Sequence, residues 1–182
     1  MSEGSTTLIA LSLLNVAYTS YLAMNDGLFM HGAVVVHNGE GIILTAPSGG
    51  GKTTQAQHWV DSFGDTVLNG DKALVRYENG RAYVYGSPWG GSAHIYRPEG
   101  VPLKAVVSIR KAGSDSAARL TGPEALAAVS PRVYYPGWDE KLTESNLRTL
   151  DRLLTDVPVY RLDATIGVSS AETLRECLFA GK

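Results

Sequence analysis

Ala46-Pro47-Ser48-Gly49-Gly50-Gly51-Lys52-Thr53 is the run whose residue types and spacing are best suited to chemistry. It follows G-x-x-x-x-G-K-[ST] from the second glycine onward, with Ala46 in the place of the first. Consecutive glycines let the backbone turn its N–H groups inward around phosphate oxygens. Lys52 can reach the β- and γ-phosphates of a nucleoside triphosphate, and the Thr53 hydroxyl can ligate Mg²⁺. Ser48, Gly49, Gly50, Gly51, Lys52, Thr53 and Thr54 are therefore the expected nucleotide-binding residues. A helix begun at Lys52 would point the positive end of its dipole at the anion.

Such a loop needs an apolar strand before it and a helix after it. Residues 28–37 form an apolar, β-branched run, Asn38-Gly39 follows, and 41–46 form a second run. Asn-Gly between two strand-like runs marks a hairpin, so the strand entering the loop is expected to pair antiparallel with the one before it. Residues 52–63 read as a helix closed by Gly64, and 66–69 as a short strand leading to Gly70-Asp71. Residues 73–77 and 82–85 flank Asn79-Gly80, a second hairpin. Residues 103–110 read as a buried strand, Arg119-Leu120 as a short one and 157–162 as another. Helices are expected from Thr121 with a capping-box spacing to Glu124, over 144–154 with Leu147, Leu150, Leu153 and Leu154 on one face, and from Ser169 with Glu172 as its cap. The class is mixed α/β with hairpins rather than strict βαβ alternation.

Bulk properties narrow the options. The chain has 182 residues, 44% of them hydrophobic, enough for one compact domain over 1–182. Its formal net charge of −2 and scattered basic residues give no reason to expect a nucleic-acid partner. A single cysteine, Cys177, excludes an internal disulfide and reads as a core thiol in a cytoplasmic setting. Residues 6–25 read as a helix stopped by Asp26-Gly27. Its apolar stretch 8–24 lacks a basic leader and is interrupted by Asn15, Thr19 and Ser20, so a core helix is expected rather than a membrane span.

Other side chains carry weaker signals. The turn-rich segment Ser87-Pro88-Trp89-Gly90-Gly91-Ser92 reads as a loop over the site, with Trp89 either stacking on substrate or filling an apolar gap. His94 and Arg97 are candidate substrate or phosphate contacts. Arg110, at a strand end, reads as a salt-bridged surface residue, and Arg161 with Asp163 as a structural ion pair. Tyr134-Tyr135-Pro136-Gly137-Trp138 is an aromatic loop facing either substrate or core, and His58 reads as packing or surface. No zinc-ligand spacing is present.

The hairpin carrying the loop, with His31-Gly32 before it and Asp71 after it, resembles the superfamily of HPr kinase and ATP-dependent phosphoenolpyruvate carboxykinase. A narrower resemblance, to stand-alone bacterial HPr-kinase-like proteins, rests on Thr45-Ala46-Pro47-Ser48, Asn69-Gly70-Asp71-Lys72, Tyr85-Gly86-Ser87-Pro88-Trp89, Val101-Pro102-Leu103-Lys104 and Val157-Pro158-Val159-Tyr160-Arg161-Leu162. It implies a P-loop-containing, kinase-like fold, ATP and Mg²⁺ as cofactors, and Lys52, Asp71 and His31 as catalytic residues. Asp71 stands where the superfamily has an acidic metal ligand or base, so Thr53 and Asp71 are the implied metal ligands. The superfamily often has two adjacent aspartates; Gly70 and Lys72 flank Asp71 here.

The implied activity is transfer of the ATP γ-phosphate to a hydroxyl, on a peptide or small-protein serine or on a small molecule. Related domains accompany modified-peptide pathways, which favours a peptide. HPr kinases assemble into oligomers, so a homo-oligomer is implied as well. Two alternatives stand beside it: a nucleotide-binding module without transfer, motivated by the single aspartate, and carboxykinase chemistry, for which the chain is short.

Overall fold

The structure, a computed structural model, describes residues 3–91 and 94–180, with side chains from residue 9 onward. Among the described residues, five α-helices and nine strands follow in the order α1 (Glu3–Met24), β1 (Gly27–His31), β2 (Ala33–His37), β3 (Glu40–Thr45), α2 (Lys52–Phe63), β4 (Thr66–Asn69), β5 (Lys72–Glu78), β6 (Arg81–Tyr85), β7 (Gly100–Lys111), β8 (Ser116–Leu120), α3 (Gly122–Val129), α4 (Glu140–Asp156), β9 (Val159–Ala164) and α5 (Ser169–Phe179), with a short 3-10 turn at Ser130–Arg132 after α3.

The mixed α/β class holds, and the sheet is curled. Its strands run β1-β5-β6-β7-β3-β2-β4, with β9 beside the C-terminal part of β7 and β8 outside β9. The long strand β7 is the seam. Its first residues pair with β6, and its later residues run parallel to β3 on one side and to β9 on the other.

Both Asn-Gly hairpins form as expected. Asn38 and Gly39 have φ of 50° and 77°, and Asn79 and Gly80 have 49° and 82°. Two successive positive φ values give the turn twist that suits a tight hairpin. The strand entering the glycine loop, β3, pairs antiparallel with β2.

The apolar run 28–37 is not one strand. It breaks at Gly32 into β1, which pairs with β5, and β2, which pairs with β3 and β4. One residue outside both strands thus passes the chain between two arms of the curl. A Cβ at Gly32 would lie 2.7 Å from the Ile43 side chain and 3.2 Å from the Leu44 carbonyl oxygen, so the corner is as tight as the backbone allows.

Alternation along β2 and β3 feeds two apolar layers. Val34 and Ile43 face inward with Met30, Val75, Val106, Leu150 and Leu153. Ala33, Val35, Ile42 and Leu44 face outward, where α2 and α5 cover them with Trp59, Leu174 and Leu178. His37 Nδ1 bonds the Asp65 carboxylate at 2.8 Å, bracing the end of β2 against the turn after α2. Burial pushes the Asp65 carboxyl up, and that histidine opposes the shift.

Several expectations are corrected. The first helix is not a core helix: Ile9, Leu13 and Met24 are 52%, 65% and 66% exposed, and among its described side chains only Thr19, Leu22 and Ala23 are buried. Its apolar residues fall on every side, so one packed face cannot cover them. Among the described residues no helix is long and apolar enough to cross a membrane. Neither expected capping box forms, since α3 and α5 have no side-chain cap. The fourth helix starts earlier than expected, at Glu140, with Asp139 accepting a bond from the Leu142 N–H at 2.9 Å. Cys177 is half-buried rather than a core thiol. Ser92, part of the expected loop 87–92, lies outside the described residues.

Candidate functional site

The glycine loop leaves the buried end of β3 and enters α2 at Lys52. Gly49 and Gly51 have φ of 70° and 99°, a conformation glycine adopts without the Cβ penalty. A Cβ on Gly50 would meet Ala46 Cβ at 2.6 Å. Ala46 is therefore compatible with the loop because Gly50 lacks a side chain. The Gly50 N–H donates to the Pro47 carbonyl at 2.9 Å, and Lys52 Nζ lies 3.4 Å from the Ala46 carbonyl oxygen, folded back over the loop.

The other two sequence candidates come to the same place. His31 ends β1, and its carbonyl accepts from the Thr45 hydroxyl at 2.8 Å, tying it to the end of β3. The Gly32 N–H donates to the Asp71 carbonyl at 2.8 Å. Side chain to side chain, His31 Nδ1 stands 3.2 Å from Asp71 Oδ1, both about one-third exposed. The contact is off the line of a good hydrogen bond, so Nδ1 has charge contact without a formed bond.

Burial pushes the His31 imidazole below its ordinary value; Lys52 and Arg132 push the same way, and Asp71 opposes them. Lys52 is also lowered, mostly by burial and further by Arg132, with Asp71 opposing. His31, Lys52, Asp71 and Arg132 thus form one electrostatic unit.

Asp71 is held by residues whose part the sequence did not reveal. Buried Asn69 accepts from the Asp71 N–H at 3.0 Å and the Lys72 N–H at 2.7 Å. Its amide donates to the Ser87 carbonyl at 2.8 Å, and the Ser87 hydroxyl donates to the Lys72 carbonyl at 2.7 Å. Asn-Gly-Asp is a turn signature, and an asparagine bonding the backbone two residues on is the mechanism behind it. Gly91 packs over the carboxylate: a Cβ there would lie 2.9 Å from Asp71 Cβ.

Trp89 fills an aromatic cluster, edge-on to Tyr18 and Phe29 with centroids 5.5 and 5.3 Å apart. Of the two readings for Trp89, apolar packing is the one seen. His94 and Arg97 are exposed, and among the described residues neither side chain makes a polar contact with the site. Arg110 makes a two-pronged pair with Asp163 at 2.6 and 2.8 Å, as expected of a surface salt bridge, and Arg161 lies 3.5 Å from the same carboxylate. Tyr134 packs against Phe29, so this part of the aromatic loop faces the protein. His58 is buried.

Beside the loop, away from His31, opens a cleft of about 530 Å³ lined by residues 49–55, Ile109, Lys111, Ala112, Ala164, Thr165 and Ile166. The ends of β7 and β9 make its far wall, and Ile166 is 91% exposed above it. Asp115 fixes this wall, accepting from the Thr165 N–H at 2.6 Å and the Ser169 hydroxyl at 2.5 Å. Those hydroxyl and N–H donors hold the Asp115 carboxyl low against the opposing effect of desolvation. No sequence motif marked this wall; it exists because β7 and β9 pair in parallel and end side by side.

The resemblance assigns the Thr53 hydroxyl and the Asp71 carboxylate to a metal ion; among the described residues no three His, Cys, Asp or Glu side chains are grouped to hold one. Oxygen donors with a single carboxylate suit Mg²⁺ completed by phosphate oxygens and water. By donor chemistry alone, Thr53 and Asp71 are compatible with the ion that the resemblance implies.

No curated protein matches the chain. Among solved structures, the HPr(Ser) kinase/phosphatase from Coxiella burnetii is similar over 82% of this chain and 95% of that one, at 10% identity and a TM-score of 0.47. The family profile described as "SynChlorMet cassette protein ScmC" matches residues 2–176, and the chain belongs to that family.

Proposed function

We propose that the protein is an ATP-dependent kinase that transfers the γ-phosphoryl group to a hydroxyl. The observation that carries this reading is the convergence of Lys52, His31 and Asp71 at the mouth of the glycine loop, from α2, β1 and the β4–β5 turn. A loop built only to bind nucleotide has no need for a neutral imidazole and a carboxylate beside its lysine.

In this reading the triphosphate lies along residues 48–54, with the α2 N-terminus and Lys52 facing the β- and γ-phosphates. The base and ribose occupy the cleft under Ile166. Thr53 and Asp71 would hold Mg²⁺, which supplies positive charge against the charge developing on the phosphoryl oxygens. The acceptor hydroxyl approaches from the His31 side. Its oxygen forms the new bond to phosphorus as the bond to the β-phosphate oxygen breaks. Its proton passes to His31 Nε2, the nitrogen turned away from Asp71, and the nucleoside diphosphate leaves. An imidazole depressed by burial is neutral near pH 7 and able to accept that proton.

Incubation with γ-labelled ATP, Mg²⁺ and serine-containing acceptors tests the proposal. Label should appear on an acceptor, and Lys52→Ala should abolish nucleotide binding. Bound nucleotide with no transfer to any acceptor counts against it. That result would favour the second reading, a nucleotide-binding module without transfer, for which the single carboxylate and Lys72 beside it speak. In that case Asp71→Asn would leave biological activity intact.

A further inference from the structure

His31 has a cation on each side of it in the sheet. On β5 its register partner is Lys72. On its other edge, Met30 bridges Val133 antiparallel, and the Tyr134 N–H donates to the Phe29 carbonyl at 2.8 Å. Stepping one residue along that antiparallel pair sets Arg132 opposite His31. Residues directly opposite one another share a face. The same face carries Phe29, Leu74, Trp89 and Tyr134, while Met30, Ala73 and Val133 lie on the other.

Lys72 feels the Asp71 carboxylate but makes no ion pair with it. Lys72 Nζ lies 5.5, 5.4 and 4.6 Å from the ring centres of Phe29, Trp89 and Tyr134. The rings orient the ammonium and shield it from water without supplying a counter-charge. Among the described residues, the side chains of Lys72 and Arg132 make no hydrogen bond or ion pair with protein. Asp71 is the one carboxylate identified in the site, against Lys52, Lys72 and Arg132. Lys52 belongs to the phosphate loop, which leaves two cations across the acceptor side.

We propose that this row, Lys72–His31–Arg132, is a subsite for a carboxylate carried by the acceptor, next to the hydroxyl that receives the phosphoryl group. The substrate class is thus a hydroxyl compound bearing a free carboxylate, such as a serine with an acidic neighbour or a free C-terminus. The proposal rests on the kinase reading only for what the anion is attached to. Guanidinium recognises the carboxylate by its fork of donors, and the caged ammonium adds a fixed positive charge. The imidazole between them stands where the hydroxyl proton must go.

The test is calorimetric titration of the full chain with N-acetylserine and with N-acetylserinamide, each with and without Mg²⁺ and a non-hydrolysable ATP analogue. The free carboxylate should bind about tenfold or more tighter than the amide, the ratio of one charge-assisted contact. Arg132→Gln and Lys72→Gln should each bring the two compounds close to parity, whatever their effect on the analogue. Arg132 is partly exposed, so its variant should fold even if the Lys72 variant does not. Equal binding of the two compounds, or binding of neither, overturns the proposal. Loss of analogue affinity in Arg132→Gln with the preference intact also overturns it, by giving the arginine to the nucleotide. A chain that binds no analogue but still prefers the carboxylate sinks the kinase reading and leaves the subsite standing.

Discussion

His31 and Asp71 are joined twice: through the Gly32 N–H to the Asp71 carbonyl, and through Nδ1 to the carboxylate at 3.2 Å. The backbone link fixes the side-chain approach whatever the charge on the imidazole. The two side chains therefore stay close when His31 gains or loses a proton, as the proposed proton transfer requires.

That coupling has a sign that can be measured without substrate. Lys52 depresses the imidazole and Asp71 raises it. In histidine-detected NMR titrations, Lys52→Met should move the His31 pKa upward and Asp71→Asn should move it further down. No movement in either variant would break the electrostatic unit.

A histidine depressed on folding binds fewer protons in the native than in the unfolded state. Stability from His31 is therefore complete above the ordinary unfolded value of about 6.5 and is lost as pH falls through that value towards the folded one. Activity follows the folded value instead: in the proposed transfer the neutral imidazole is the proton acceptor, so the rate should fall only as pH drops through the depressed value of native His31, below the ordinary value of about 6.5. His31→Asn should remove that acid limb along with most of the rate.

Asn69 is buried and bonds two backbone N–H groups that shape the Asp71 turn. Asn69→Ala should cost roughly 2–3 kcal/mol in urea unfolding, because two donors lose their acceptor away from water. Asn69→Asp keeps the acceptor but buries a carboxylate oxygen against the Ser87 carbonyl, so it should cost at least as much. Stability of both variants within about 0.5 kcal/mol of the unmodified chain would refute the clamp.

The glycine loop makes unequal demands on its members. Gly50→Ala puts a Cβ against Ala46 and should abolish nucleotide binding, read by calorimetry. Ala46→Gly, which restores the commoner residue, should leave affinity within about threefold, since the loop already tolerates alanine there.

Ile166 stands almost fully in solvent above the cleft beside the loop. Ile166→Ser should leave the melting temperature unchanged and weaken nucleotide binding about three- to tenfold, the worth of one lost apolar contact of roughly 1 kcal/mol. An unchanged affinity would place the base elsewhere.

The sequence by itself determined what is local. Asn-Gly pairs need two positive φ values, and these set both hairpins. Apolar alternation set the faces of β2 and β3, and the glycine spacing before Lys52 set the loop and the start of α2. His31 and Asp71 were legible as candidates because their motifs are short and contiguous. Tertiary structure decided what depends on pairing between distant segments. The break at Gly32 is invisible in an apolar run, since only the curl of the sheet sends its halves to different partners. The exposure of α1 was hidden because apolar composition does not say which faces find cover. Arg132 carries no motif at all; it joins Lys52 because one bridge, Met30 to Val133, lays its segment beside β1. The glycine loop is thus written in adjacent residues, where local backbone geometry is enough. The company it keeps is set by strand register, which no single segment contains.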